Sequence, residues 1–276
     1  CVDMPNEPPA STFKDKVNIT AYPTEEAGGV VWVYMGPPEL KPQRPQFEWA
    51  SVPENQRYVH KRIQHSNYLQ NVEGEIDSAH VSFLHRDLSQ EGLGAVLGQE
   101  AFLATTDSAP HFDVHETDYG LLVGARRESG DDYYWRITQF LVPSYTMIPA
   151  ELGAPVTFTG AIPIDDENMC GYTVTWHPDR PLTTEEVASI ESWKGVYTEN
   201  LPGSFETVLN KENDYKIDRE LQRTTSFTGI RGIREQDLAV QEDQWGPITD
   251  RTREHLGTTD LAVIAMRRKL LRQIED

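Results

Sequence analysis

Asn67, Gln70, Glu73, Gly74, Asp77, His80 and His85 fall within one helix-sized window of the chain. Imidazole is a common ligand for divalent first-row metals, and two imidazoles with one carboxylate leave coordination positions open for reactants. The spacing between His80 and His85 sets a geometric condition. At about 100° per residue, two side chains five positions apart point about 140° apart on a regular α-helix. Both reach one metal only if the helix is locally widened, as in a π-bulge, a feature concentrated at functional sites. Taken alone, two histidines at this spacing also suit ordinary core or surface positions, so the elements around them matter.

Those elements read as a mixture of helix and antiparallel strand. Strand patterns occur at 16–22 and 30–35 around the Gly28-Gly29 turn, and then at 58–64, 112–116, 120–126, 133–142, 156–163 and 171–176. Helices are expected at 68–85, at 183–198, where Thr183 caps and Glu186 replies, and at 261–273, capped by Asp260. A glycine-bearing loop is expected over 90–98. The proline-rich run 36–45 reads as a linker, because each proline removes a donor and holds its predecessor extended, so a domain boundary is expected near residue 50. Phe140, Tyr145 and Trp135 read as core. His111 and His115 share one strand face and read as structural or exposed. Arg126, Arg127 and Arg136 lie on strands; facing inward, a guanidinium would pair with a carboxylated substrate, and facing outward it meets water.

The net charge of −19 disfavours nucleic acid and anionic membrane surfaces as partners, since phosphate binding depends on clustered Lys and Arg. No run approaches the roughly 18 apolar residues of a membrane span, and no signal pattern opens the chain, so a cytoplasmic protein is expected. Two cysteines, Cys1 and Cys170, provide neither a disulfide framework nor a cysteine metal site. Beginning at Cys1 within loop-like sequence, the chain reads as a fragment of a longer protein.

Asp77-x2-His80-x4-His85, preceded by Asn67-x2-Gln70-x2-Glu73-Gly74, resembles the iron motif of Rieske-type non-haem iron oxygenase α subunits, in the phthalate dioxygenase-like branch. The resemblance implies that His80 and His85 bind mononuclear Fe(II) and that Asp77 bridges a ligand histidine to a neighbouring subunit's Rieske cluster. It also implies a third, carboxylate ligand far downstream. The family pattern matches Gln236-Asp237 with Glu242 five positions on, which makes Asp237 the candidate, with Glu235, Glu242 and Asp243 as competitors. The stretch from Gly246 through Asp250 and Gly257 to Asp260, with the basic helix Arg267-Arg268-Lys269, extends the likeness over most of the chain.

From this resemblance the fold expectation is α+β: residues 1–48 are the last strands of an all-β Rieske domain and its linker, and 49–276 a helix-grip (START-like) catalytic domain. An antiparallel sheet would wrap a long helix there, with the iron between them. The implied activity is hydroxylation of an aromatic, carboxylated substrate with O2. Alternatives are a Rieske-type O- or N-demethylating monooxygenase and a non-catalytic helix-grip domain that binds small molecules. A Rieske [2Fe-2S] cluster needs paired Cys-x-His and Cys-x2-His loops, and this sequence has neither, so the cluster is expected only in the intact protein. Implied partners are an NAD(P)H-dependent reductase or ferredoxin and sister subunits in a homotrimer.

Overall fold

A two-residue turn sets the first pairing of the chain. Gly28 and Gly29 both have positive φ, the requirement of a tight hairpin turn whose twist matches its strands. The turn therefore pairs its immediate flanks, β1 (Thr24–Ala27) with β2 (Val30–Val33), in the register Ala27↔Val30. The strand expected at 16–22 is corrected by the same geometry: hairpin register selects the adjacent Thr-Glu-Glu-Ala segment despite its weak strand propensity, and residues 17–22 form no strand. Trp49 stacks on Phe47 and Trp32, with ring centroids 5.9 and 6.0 Å away.

The computed structural model describes residues 1–86 and 107–275, and its contacts divide the chain into the units Cys1–Val52 and Pro53–Asp276. The second unit is built on seven strands: β3 (Arg57–Gln64), β4 (His111–Thr117), β5 (Gly120–Ser129), β6 (Asp132–Leu141), β7 (Tyr145–Ile148), β8 (Val156–Pro163) and β9 (Met169–Trp176). They form one sheet in the order β3-β9-β8-β7-β6-β5-β4, every neighbour antiparallel. Among the described residues the α-helices are α1 (Tyr68–Ile76), α2 (Val81–Leu84), α3 (Thr184–Ile190), α4 (Arg219–Thr224), α5 (Ile233–Asp243) and α6 (Leu261–Glu275). The loop expected at 90–98 lies outside the described residues.

Period-two alternation on β5 and β6 turns Leu121, Val123, Ala125 and Phe140 to the face that receives Val72 and Ile76 of α1 and Val263 and Met266 of α6. Each fully buried aliphatic or aromatic side chain here contributes about 1.5–3 kcal/mol. The same alternation corrects Trp135. It stands on the opposite face with Tyr133 and Ile137, is 44% exposed, and lies over Gly124. His111 and His115 are exposed, as expected. Arg127 is fully buried, Arg126 partly so and stacked on Tyr133.

Helix bounds differ from the periodic reading where capping decides. Thr183 and Glu186 make the expected reciprocal cap, but α3 ends at Ile190, ahead of Trp193 with positive φ. Asp260 occupies a 3₁₀ turn and accepts from Gly257 N rather than capping α6. The helix expected at 68–85 is two helices: Asp77 adopts extended backbone (ψ 111°) and separates α1 from α2. Of the two cysteines, Cys1 is exposed and Cys170 buried, and both are free.

Candidate metal centre

The break at Asp77 does what the π-bulge was expected to do. Asn67 caps α1 by accepting from Leu69 N, and the helix runs to Ile76. Asp77 leaves the helix and restarts it, accepting from Ala79 N (2.7 Å) through Oδ1 and from His80 N (3.2 Å) through Oδ2. Arg127, reaching from β5, donates to Ser78 Oγ and to the Ser78 carbonyl, which fixes the segment between the helices. With His80 at the start of α2 and His85 just past its end, the two rings no longer share one helix axis. Their Nε2 atoms lie 3.2 Å apart. Two short helices joined at a capping aspartate thus replace the widened helix.

Asp237 arrives from α5. Its Oδ1 is 3.2 Å from His85 Nε2 and 3.6 Å from His80 Nε2, and among the described residues these three form the group that could hold a metal ion. The outer nitrogens fix the tautomers. His85 Nδ1 is 2.8 Å from Gln236 Oε1, and that amide cannot be reversed without loss because its Nε2 donates to the Ile230 carbonyl at 3.0 Å. His80 Nδ1 is 3.2 Å from Asp77 Oδ2. Both Nδ1 atoms therefore carry hydrogen, and both Nε2 lone pairs face each other and the Asp237 carboxylate.

Three lone-pair donors converging with no hydrogen between them repel unless a cation sits at their centre. Ligands about 2.1 Å from one ion and at right angles to each other would be about 3.0 Å apart, so the donor set fits a divalent transition metal. Without a metal the proton serves. Burial alone would lower the His80 pKa, yet its bonds to Asp237 and Asp77 hold it up at about 10. Burial likewise opposes ionisation of Asp237, but the two imidazoles hold its carboxyl far below the usual range.

The competing carboxylates lie outside this group. Glu235 is buried away from the histidines, and burial pushes it up to about 8. Glu242 accepts from His65 N and from the Tyr215 hydroxyl. Asp243 is exposed and pairs with Lys211. The motif residues upstream have structural tasks: Gln70 donates to the Gln241 carbonyl, and Glu73 pairs with Arg251 and Arg267. Sequence reasoning missed Gln236 as the partner of His85, Arg127 behind Ser78, and the buried pair Glu75–Arg234.

His80, His85 and Asp237 line a cavity of about 430 Å³ whose opposite wall is the sheet, with Tyr134, Arg136 and Thr138 on β6 and Thr157 on β8. The long α6 is not part of this cavity. It helps to line a second one of about 240 Å³, which Asp77, His80 and Asp237 also border. The group thus lies between a cavity walled by the sheet and one lined by α6, and α1, α2 and α5 carry it. Burial lowers the Arg136 pKa, and among the described residues no carboxylate is bonded to it.

Two imidazoles from a helix break and a carboxylate from α5 thus meet beside an antiparallel sheet. Residues 33–276 match the LigXa C-terminal domain-like family, and the chain belongs to it. It is 35% identical over 289 residues to the oxygenase subunit of 3-chlorobenzoate-3,4-dioxygenase from Comamonas testosteroni, covering 99% of this chain and 66% of that one. It is 35% identical over 282 residues to the phthalate 4,5-dioxygenase oxygenase subunit from Pseudomonas putida, covering 98% and 62%. The chain thus spans just under two thirds of the length of these relatives. Dicamba monooxygenase bound to 3,6-dichlorosalicylic acid shares the fold, with a TM-score of 0.62 at 14% identity over 100% of this chain and 76% of that one. Among the described residues no helix is long and apolar enough to cross a membrane.

Proposed function

We propose that His80, His85 and Asp237 hold one Fe(II) ion, and that this chain is the catalytic portion of an oxygenase that hydroxylates an aromatic, carboxylated substrate. The observation that carries the reading is the convergence of His80 Nε2, His85 Nε2 and Asp237 Oδ1 on the wall of a cavity that also contains Arg136. Bound there, the iron supplies the binding and redox activation of dioxygen. The chain supplies position. Asp77 and Gln236 hold the Nδ1 hydrogens and keep both Nε2 atoms free. Arg136 offers paired donors to a substrate carboxylate, leaving the ring in the same cavity as the triad. Its volume is in the range of small-molecule sites, and Ile148, Val196 and Ile233 give it apolar wall.

Electrons have to come from elsewhere, because this sequence has no ligand pairs for a Rieske cluster. In the intact protein a [2Fe-2S] cluster, fed by a reductase or ferredoxin, fills that role, and Asp77 links it to His80 across a homotrimer interface. The relatives' designation as oxygenase subunits supports the need for a separate electron donor.

Anaerobic dialysis against Fe(II) tests the reading. The wild-type chain takes up about one ion, and the double variant His80→Ala/His85→Ala takes up none. Calorimetric titration with phthalate or 3-chlorobenzoate then tests the substrate class, with Arg136→Ala weakening binding about tenfold or more. Full iron occupancy in the double variant, or carboxylate binding indifferent to Arg136, overturns the respective half.

A further inference from the structure

Asp237 has two carboxylate oxygens, and they face different partners. Oδ1 turns to the imidazoles, whereas Oδ2 lies 3.6 Å from Arg234 Nη1, one turn earlier on α5. The same Nη1 is 2.6 Å from Glu75 Oε1 on α1. The Arg234 and Glu75 side chains are 2% and 3% exposed. Stability does not account for such a pair, since replacing a buried ion pair by packed apolar residues of similar volume is often neutral or stabilising. What the pair does is span two helices and end on the metal-site carboxylate. A second buried guanidinium, Arg62, adds to the field around both Glu75 and Asp237.

We propose that Arg234, itself held by Glu75, is a positioning residue that keeps Asp237 a one-oxygen ligand. Its charge, 3.6 Å from Oδ2, draws that oxygen toward itself, so that Oδ1 alone is presented between His80 and His85. A carboxylate free to turn about its last bond can chelate an ion with both oxygens and thereby close a coordination position. With Oδ2 held, that position stays open where the triad borders the cavity. Glu75 offsets the charge of Arg234, so the clamp orients the carboxylate without adding a net positive charge that would repel a divalent cation. Arginine suits the task, because its rigid planar head holds one nitrogen, Nη1, between the two carboxylates. This inference rests on the ligand assignment made above.

Co(II) is the probe, because its visible absorption weakens as its coordination number rises. In the double variant Glu75→Gln/Arg234→Gln both charges are removed while a polar side chain remains at each position. Co(II) should still bind, within about tenfold of the wild-type affinity. Its visible absorption should fall, and azide, which needs an open position, should bind about tenfold more weakly. Arg234→Lys keeps the charge without the rigid planar head and should fall between the two. A wild-type spectrum and wild-type azide affinity in the double variant overturn the clamp. If circular dichroism shows that variant unfolded, Arg234→Lys is decisive alone: an unchanged spectrum overturns the proposal and a weakened one supports it. The two readings fail differently. Should the wild-type chain bind no Co(II), or His80→Ala/His85→Ala bind it fully, the ligand assignment falls. Should both behave as expected while Glu75 and Arg234 have no influence, only the clamp falls.

Discussion

Helix α1 faces two different interiors. One side, Val72 and Ile76, enters an apolar cluster with Leu121, Val123, Phe140 and Met266. The other side meets α5 through polar groups: Gln70 bonds to the Gln241 carbonyl, Glu75 pairs with Arg234, and Gly74 lies so close to Gln241 that an added Cβ would sit 2.4 Å from its Nε2. Gln241 is held in turn by Gln64, whose Nε2 donates to its Oε1 at 2.7 Å. Apolar contact is non-directional and proportional to area, so the first interior stabilises without fixing angles. Hydrogen bonds and ion pairs fix angles at little net gain in stability. The His80–His85–Asp237 group hangs from the second interior, which divides the work: the sheet side keeps the domain folded, and the α5 side aims these three side chains.

The largest effect that tests this division is Phe140→Ala. Phe140 is fully buried, and its loss should cost about 3–5 kcal/mol in urea unfolding. The folded fraction should bind Co(II) with unchanged affinity. An affinity that falls in step with stability would mean that the two interiors are not separable.

A smaller effect is expected at Gln236, on the aiming side. Gln236→Leu keeps the volume but leaves the His85 Nδ1 hydrogen without an acceptor in a site where His85 is only 6% exposed. The ring then gains by moving its hydrogen to Nε2, where it blocks the metal. Co(II) affinity should fall about 10- to 100-fold, while the urea midpoint moves far less than for Phe140→Ala. Unchanged affinity would remove Gln236 from the aiming apparatus.

The same division governs what could be read from the sequence. Sheet strands facing the core announce themselves by alternation, and β5, β6, β8 and β9 lie where the pattern put them. Helix α5 does not announce itself, because the residues it buries include Arg234, Glu235, Gln236, Gln241 and Glu242, so no apolar stripe repeats along it. Asp237 was therefore visible only through a family pattern, never through a helix. His80 and His85 were legible as a motif, yet their geometry was not, since the spacing argument assumed an unbroken helix. The signal that could have corrected it was Asp77 itself, an N-cap residue type standing just before Ser78, Ala79 and His80. Strand β1 was hidden for another reason: a turn, rather than its own composition, selects it.

The smallest effect on ion binding is expected from Asp77→Asn, and it separates orientation from ligation. The Asp77 carboxylate accepts three hydrogen bonds, one from Ala79 N and two from His80. An amide of the same shape can turn its oxygen to either set but not to both, so one side loses its acceptor while the helix break survives. Co(II) affinity should drop less than about tenfold, because His80, His85 and Asp237 all remain. The metal-free chain should respond in its pH dependence. His80 ordinarily titrates near 6.5 in an unfolded chain, and its raised value of about 10 means that the stabilisation it brings is complete below about 6.5 and lost as pH rises through 10. Asp77 supplies part of that rise, so in Asp77→Asn the His80 imidazole should titrate at lower pH, and the alkaline fall in stability should begin earlier. Both are measurable, the first by NMR of the ring protons and the second by urea unfolding across the pH range. An unshifted His80 titration would reduce Asp77 to a helix cap. Complete loss of the ion, by contrast, would make Asp77 a direct ligand and displace Asp237 from the group.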